Sequence, residues 1–109
     1  MGAIDPTIRP LLAELREALQ SLYGERLAGL MLYGSYARGD QEAGSDIDVL
    51  VALHRPVRPG EEISRTSELL SRMSLENDTV ISCAFVSEER LRQGQSPFLM
   101  NVRKEGVPV

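Results

Sequence analysis

The chain has no tryptophan and one cysteine, Cys83, among its 109 residues. A single thiol excludes an internal disulfide and suits a reducing compartment, so the cytoplasm is the expected location. No apolar run approaches the ~20 residues that a membrane-spanning helix needs. The opening stretch MGAIDPTIRP lacks the charged and apolar regions of a secretory leader, and Pro6 stands where an N-myristoylation signal wants Ser or Thr. Lysine is scarce too. Eleven Arg and one Lys face sixteen acidic residues, for a net charge of −4. That balance argues against a general nucleic-acid-binding surface, which calls for a basic face.

What is present is enough apolar material for a core, 42% of residues, and a length suited to one domain spanning 1–109. Ile8, Leu11, Leu12, Leu15, Leu19 and Leu22 recur at helical spacing, with Thr7 as the expected N-cap, Pro10 in the first turn and Gly24 as the stop. LAGLMLYGS then reads as a buried strand, and IDVLVAL, from Ile47 to Leu53, as a second. The loop HRPVRPG precedes a helix expected over 61–73, with Ile63, Leu69, Leu70 and Met73 inward. TVISCAFV, over 79–86, reads as a third strand, Cys83 acting there as a small buried hydrophobe. Ser87 and Ser96 each stand at the N-cap of a further short helix. The fold class is α+β (mixed α/β), a three- to four-stranded sheet with helices packed on it.

The chemistry concentrates in GSYARGDQEAGSDIDVLV, from Gly34 to Val51. Strand alternation turns Asp46 and Asp48 to one face and Ile47 to the other, with the two carboxylate-bearing Cα atoms roughly 6.5–7 Å apart. Two carboxylates on one face repel and resist burial, and a hard divalent cation between them removes the conflict. Upstream, the strand ends in Gly34-Ser35, where a turn or helix start offers free N–H groups and a hydroxyl to an anion. Arg38 can add a charge-assisted contact. An anion cradle beside a carboxylate pair suits a metal–nucleotide complex.

These residues resemble the DNA polymerase β-type nucleotidyltransferase superfamily, and more narrowly its minimal nucleotidyltransferase domains: Gly34, Ser35, Ala37, Arg38 and Gly39, a polar loop, then Ser45, Asp46, Asp48, Leu50 and Val51. The resemblance implies that Gly34 and Ser35 hold the triphosphate of ATP and that Asp46 and Asp48 bind two Mg²⁺. It leaves Arg38 either on phosphate or in an internal ion pair, and Ser45 either capping the turn or touching the nucleotide. It also implies a mixed-sheet fold, transfer of AMP to a partner protein, and pairing as antitoxin with an all-helical HEPN-type toxin. The superfamily's third carboxylate has no counterpart in TVISCAFV. Ser82 and Cys83 stand where it is sought, and Asp78 is the candidate to supply it, with a plain turn role as the competing reading. Two other readings stay open. One is a non-catalytic module that neutralises its partner by binding. The other is a small-molecule, aminoglycoside-like transferase whose acceptor pocket a homo-oligomer or a partner would supply. His54 and the arginines Arg90, Arg92 and Arg103 read as solvated surface, and Tyr36 as packing or as pocket lining.

Overall fold

The computed structural model describes residues 4–109. Met1, Gly2 and Ala3, part of the stretch read for leader signals, lie outside the described residues. The elements run α1 (Arg9–Tyr23), a 3₁₀ turn (Gly24–Arg26), β1 (Leu27–Tyr33), α2 (Ser35–Arg38), β2 (Ile47–Leu53), α3 (Pro59–Glu76), β3 (Ile81–Ser87), α4 (Glu88–Gln93), α5 (Pro97–Glu105) and β4 (Val107–Pro108). The strands form one sheet in the order β3-β2-β1-β4. β1 is antiparallel to both β2 and β4, whereas β2 and β3 are parallel. Parallel neighbours need a crossover, and α3 supplies it. The mixed α+β sheet expected from the sequence is the one observed. Among the described residues no helix is long and apolar enough to cross a membrane.

Alternation divides the sheet's two faces cleanly. Leu30, Leu32, Ile47, Val49, Val51, Leu53, Ile81 and Phe85 pack against Leu11, Leu12, Leu15 and Leu19 of α1 and Met73 of α3. The opposite face carries a smaller cluster, Leu50 and Val86 with Leu99 and Val102 of α5. Helices therefore cover both faces, which explains why β2 is apolar almost throughout.

Several local expectations hold and several are corrected. Gly24 ends α1 at φ +56, its N–H donating to the Gln20 carbonyl. The hydroxyls of Ser87 and Ser96 accept from the N–H groups of Arg90 and Leu99 and start α4 and α5. Thr7 does not cap α1. The Asp5 carboxylate takes it instead, accepting from the Thr7 N–H at 2.9 Å and from its hydroxyl at 2.8 Å, a local turn that wins over the cap. Leu22 is exposed, and Tyr23 takes the buried place beside it.

The third helix is longer than expected, and its inward face differs. Ile63 points out, 55% exposed, whereas Glu62 is 2% exposed and Thr66 fully buried. The Glu62 carboxylate accepts from the Tyr23 hydroxyl at 2.7 Å and from the Arg26 guanidinium at 3.1 Å. A buried charge is tolerable when it is paired and hydrogen-bonded, and these partners, from the end of α1 and the turn after it, turn the helix by one residue. The third strand starts at Ile81, two residues late. Val80 still accepts the Ile47 N–H at 2.8 Å, so the approach to β3 is tied to the approach to β2.

Candidate active site

The Gly34–Asp48 segment lies at the end of the two central strands. β1 ends at Tyr33, which pairs with Asp48 of β2, and Asp48 pairs with Ser82 of β3. Paired residues share a face, so Tyr33, Asp48 and Ser82 form one row on the α4–α5 side of the sheet. Asp46, just before β2, is exposed, and alternation places it on that same side. Asp46 is near enough for its charge to act on the Asp48 carboxyl.

Gly34 is dictated by Asp48. Its backbone sits at φ +76, ψ −154, a region that only glycine occupies comfortably. A Cβ there would lie 2.5 Å from Asp48 Oδ2. The missing side chain lets the carboxylate lie directly against the turn. Ser35 then opens α2, a single helical turn in which the Gly34 carbonyl accepts from Ala37 and Arg38. The first N–H groups of such a turn have no acceptor within it, and the residue that opens it, Gly34, lies against the Asp48 carboxylate. Gly39, at φ +83, ends the turn in the left-handed region.

The connecting loop returns through a second tight turn. The Ser45 hydroxyl accepts the Glu42 N–H at 2.8 Å and the Ser45 N–H donates to the Glu42 carbonyl at 3.0 Å. Ser45 therefore has the turn-capping role. Arg38 is in an ion pair, Nε to Asp40 at 3.1 Å and NH1 to Glu105 of α5 at 3.5 Å. It still attracts the Asp48 carboxylate.

Burial, and then the neighbouring Asp46 charge, push the Asp48 carboxyl above its ordinary range, and Arg38 offsets only part of this. Tyr33 is raised as well, by its own burial and then by Asp48 and Cys83. Its ring meets Phe98 of α5 edge-on at 5.3 Å. The sequence reading missed this aromatic pair, because Phe98 lies far along the chain in a helix that only the fold brings back.

Asp78 goes elsewhere. It follows the end of α3 in a left-handed conformation, φ +51, consistent with the turn reading. Together with Thr7, Tyr36, Ser45 and Ile47 it lines a cleft of about 650 Å³ on the α1 side of the sheet. Among the described residues, no three His, Cys, Asp or Glu side chains are grouped so as to hold a metal. Asp46 and Asp48 stand as a pair, and the β3 position in register with Asp48 is Ser82. His54 is exposed at the far end of β2, 3.7 Å from Glu88.

The family described as "Nucleotidyltransferase domain" matches residues 12–104. Two Methanocaldococcus jannaschii proteins, each named "Putative protein adenylyltransferase", are similar to it. One is 34% identical over 95 residues, covering 85% of this chain and 88% of the relative. The other is 33% identical over 72 residues, covering 66% and 72%. Among solved structures, a chain from a toxin–antitoxin crystal structure with AMP-PNP superposes with a TM-score of 0.61 at 21% identity, over 87% of this chain and 69% of the other. A structure described as a "putative minimal nucleotidyltransferase" gives 0.55 at 24% identity over 99% and 100%. A carboxylate pair set against a Gly-Ser turn, in a chain that matches the family over nearly its whole length, places this protein in the nucleotidyltransferase domain family.

Proposed function

We propose that this nucleotidyltransferase is a Mg²⁺-dependent protein adenylyltransferase, moving AMP from ATP to a hydroxyl of a partner protein, and that it is the antitoxin of a pair whose toxin is an all-helical HEPN-type protein. The observation that carries the reading is the Asp48 carboxylate lying against Gly34, which joins the anion-binding turn to the aspartate pair. The names of the curated relatives support protein adenylylation, and the toxin–antitoxin fold neighbours support a protein partner.

The donor set fits Mg²⁺. Both groups are hard oxygen donors on one face, and burial, then the neighbouring Asp46 charge, hold the Asp48 carboxyl above its ordinary range. Mg²⁺ is commonly held by one or two carboxylates together with substrate phosphates. Asp46 and Asp48 would hold the two ions, and Asp78 is no part of the site. Bound Mg²⁺ supplies charge neutralisation on the triphosphate. The chain's own residues do the rest. The turn at Gly34 and Ser35 binds and orients the phosphates, so that the acceptor oxygen bonds to the α-phosphorus as the bond to pyrophosphate breaks.

Calorimetry of ATP binding tests this, with Mg²⁺ and then with EDTA, beside Asp46→Asn/Asp48→Asn. Binding that needs Mg²⁺ and is lost in the variant is expected, together with transfer of labelled AMP to the partner. Equal transfer by the variant would refute the catalytic role of the pair. Ser82 in place of a third acid favours one other reading, a module that neutralises by binding alone. On that reading the double variant protects cells from the partner as well as the wild type does.

A further inference from the structure

β3 is an edge strand, with β2 on one side and, among the described residues, no strand on the other. The Ile47 N–H donates to the Val80 carbonyl. In a parallel pair that fixes the alternation. The main-chain groups of Ser82, Ala84 and Val86 turn toward β2, and those of Ile81, Cys83, Phe85 and Ser87 turn outward. Two outward groups are occupied. The Ile81 N–H donates to the Ser74 hydroxyl at 3.1 Å, and Ser87 is the N-cap of α4, where its carbonyl serves the helix. Among the described residues, the Ile81 carbonyl, both groups of Cys83 and of Phe85, and the Ser87 N–H have no hydrogen-bond partner within the chain.

Edge strands are ordinarily blunted by a charge, a proline or a bulge. ISCAFVS, over 81–87, has no charge and no proline, and its register with β2 is unbroken. The ground beside the edge is uncharged too. Leu70, Ser71, Ser74 and Leu75 of α3 line a groove of about 450 Å³ with Val80 and Ile81. Leu75 is 84% exposed and Val80 54%. Ile63, also exposed, and Ser67 extend this flank of α3 at helical spacing.

We propose that this edge pairs with β3 of a second copy of the chain, antiparallel about a two-fold axis at Ala84. The choice of a second copy rests on how the open groups match. In that register Cys83 lies opposite the partner's Phe85 and the two exchange both bonds, while the Ser87 N–H reaches the partner's Ile81 carbonyl. The one bond then missing at each end would need the Ile81 N–H and the Ser87 carbonyl, the two groups already engaged. An axis at Cys83 or at Phe85 leaves outward groups unpaired. At the proposed axis the two Ala84 residues form a non-hydrogen-bonded pair, with Cα atoms about 4.5 Å apart, a spacing that suits a methyl side chain. Paired residues share a face, so both aspartate pairs open on the same side of one continuous sheet. Asp48 is level with Ser82, which lies opposite the partner's Val86. Four residues along the strands and three strand spacings across place the two sites roughly 20 Å apart. The pairing does not depend on the transferase reading.

Sedimentation equilibrium of the full chain tests this. The wild type is expected to be a dimer that dissociates on dilution. Ser71→Glu sets like charges on the facing α3 flanks and should weaken the dimer at least about tenfold, with an unchanged circular dichroism spectrum. Cys83→Pro removes an outward N–H, a place where an edge strand tolerates proline, and should leave a monomer. Because proline can also harm the fold, a disulfide trap accompanies it. In a Cys83→Ala background, Ala84→Cys should give a covalent dimer under mild oxidation, its Cα separation lying within the roughly 4.4–6.8 Å that disulfides span, and Ser82→Cys should not. A wild type that stays monomeric at every concentration would overturn the proposal and leave the edge to a strand of another protein. A dimer with no cross-link through Ala84→Cys, or with one through Ser82→Cys, would overturn it as well.

Discussion

Replacing Gly34 with alanine strikes the link between the turn and the aspartates in two separable ways. The first is backbone strain. At φ +76, ψ −154 a residue with a Cβ costs about 1–3 kcal/mol even in empty space. The second is overlap. The added methyl would lie 2.5 Å from Asp48 Oδ2, and rotating the carboxylate away gives limited relief, because Asp48 Cγ and Cβ stand 3.3 and 3.5 Å from the same point. A contact of this kind couples two sites by about 1–2 kcal/mol. The single variant should therefore lose about 2–5 kcal/mol, a large part of the ~5–15 kcal/mol that holds a domain of this size together. Asp48→Ala removes the overlap and leaves the strain, so Gly34→Ala should cost less in that background than in the wild type. Urea denaturation of the wild type, both single variants and the double variant measures the difference. Additivity within ~0.5 kcal/mol would refute the claim that Gly34 is there to admit the Asp48 carboxylate.

Two further outcomes follow from the charges. The folded-state pKa of Asp48 is raised, so in the pH window just above the ordinary carboxylate value the folded chain holds more protons than the unfolded chain, and stability falls as pH rises through that window. Asp48→Asn should accordingly raise the thermal midpoint of the metal-free protein at pH 7 and leave it unchanged at pH 3, while added Mg²⁺ should stabilise the wild type and not the variant; differential scanning fluorimetry of both proteins reads each of these conditions. Glu62→Ala strands the buried Tyr23 hydroxyl and removes the main partner of Arg26, at a cost of about 2–4 kcal/mol in urea, with Glu62→Gln costing less because it still accepts from Tyr23. Equal losses in the two variants would show that packing, not the polar contact, fixes Glu62.

The three long strands and the Gly34–Asp48 motif were legible because their signals are local. Alternation put Asp46 and Asp48 on one face, and the Gly-Ser step marked the turn that meets them. What was hidden depends on residues far apart in the chain. Ile63 looks like the inward residue of α3 by hydropathy. The helix instead turns Glu62 inward because Tyr23 and Arg26, at the end of α1 and in the turn after it, satisfy its carboxylate. Val107 and Pro108 are too short a run to announce a strand, and become one by pairing with β1. Asp78 sits one residue past the C-cap of α3 and three residues before β3, a location that sequence proximity to the strand could not separate from a place among the metal ligands.

The mixed sheet also orders how the molecule comes together. β1 and β2 are antiparallel neighbours joined by the short excursion through α2, so they meet at a small loop-closure cost. β3 joins in parallel only after the chain has crossed back through α3, a slower kind of contact. Everything that sets Asp48 against Gly34 belongs to the first event. A chain halted before β3 docks would still lack Ser82 and the Val80 carbonyl that holds the Ile47 N–H between the two aspartates.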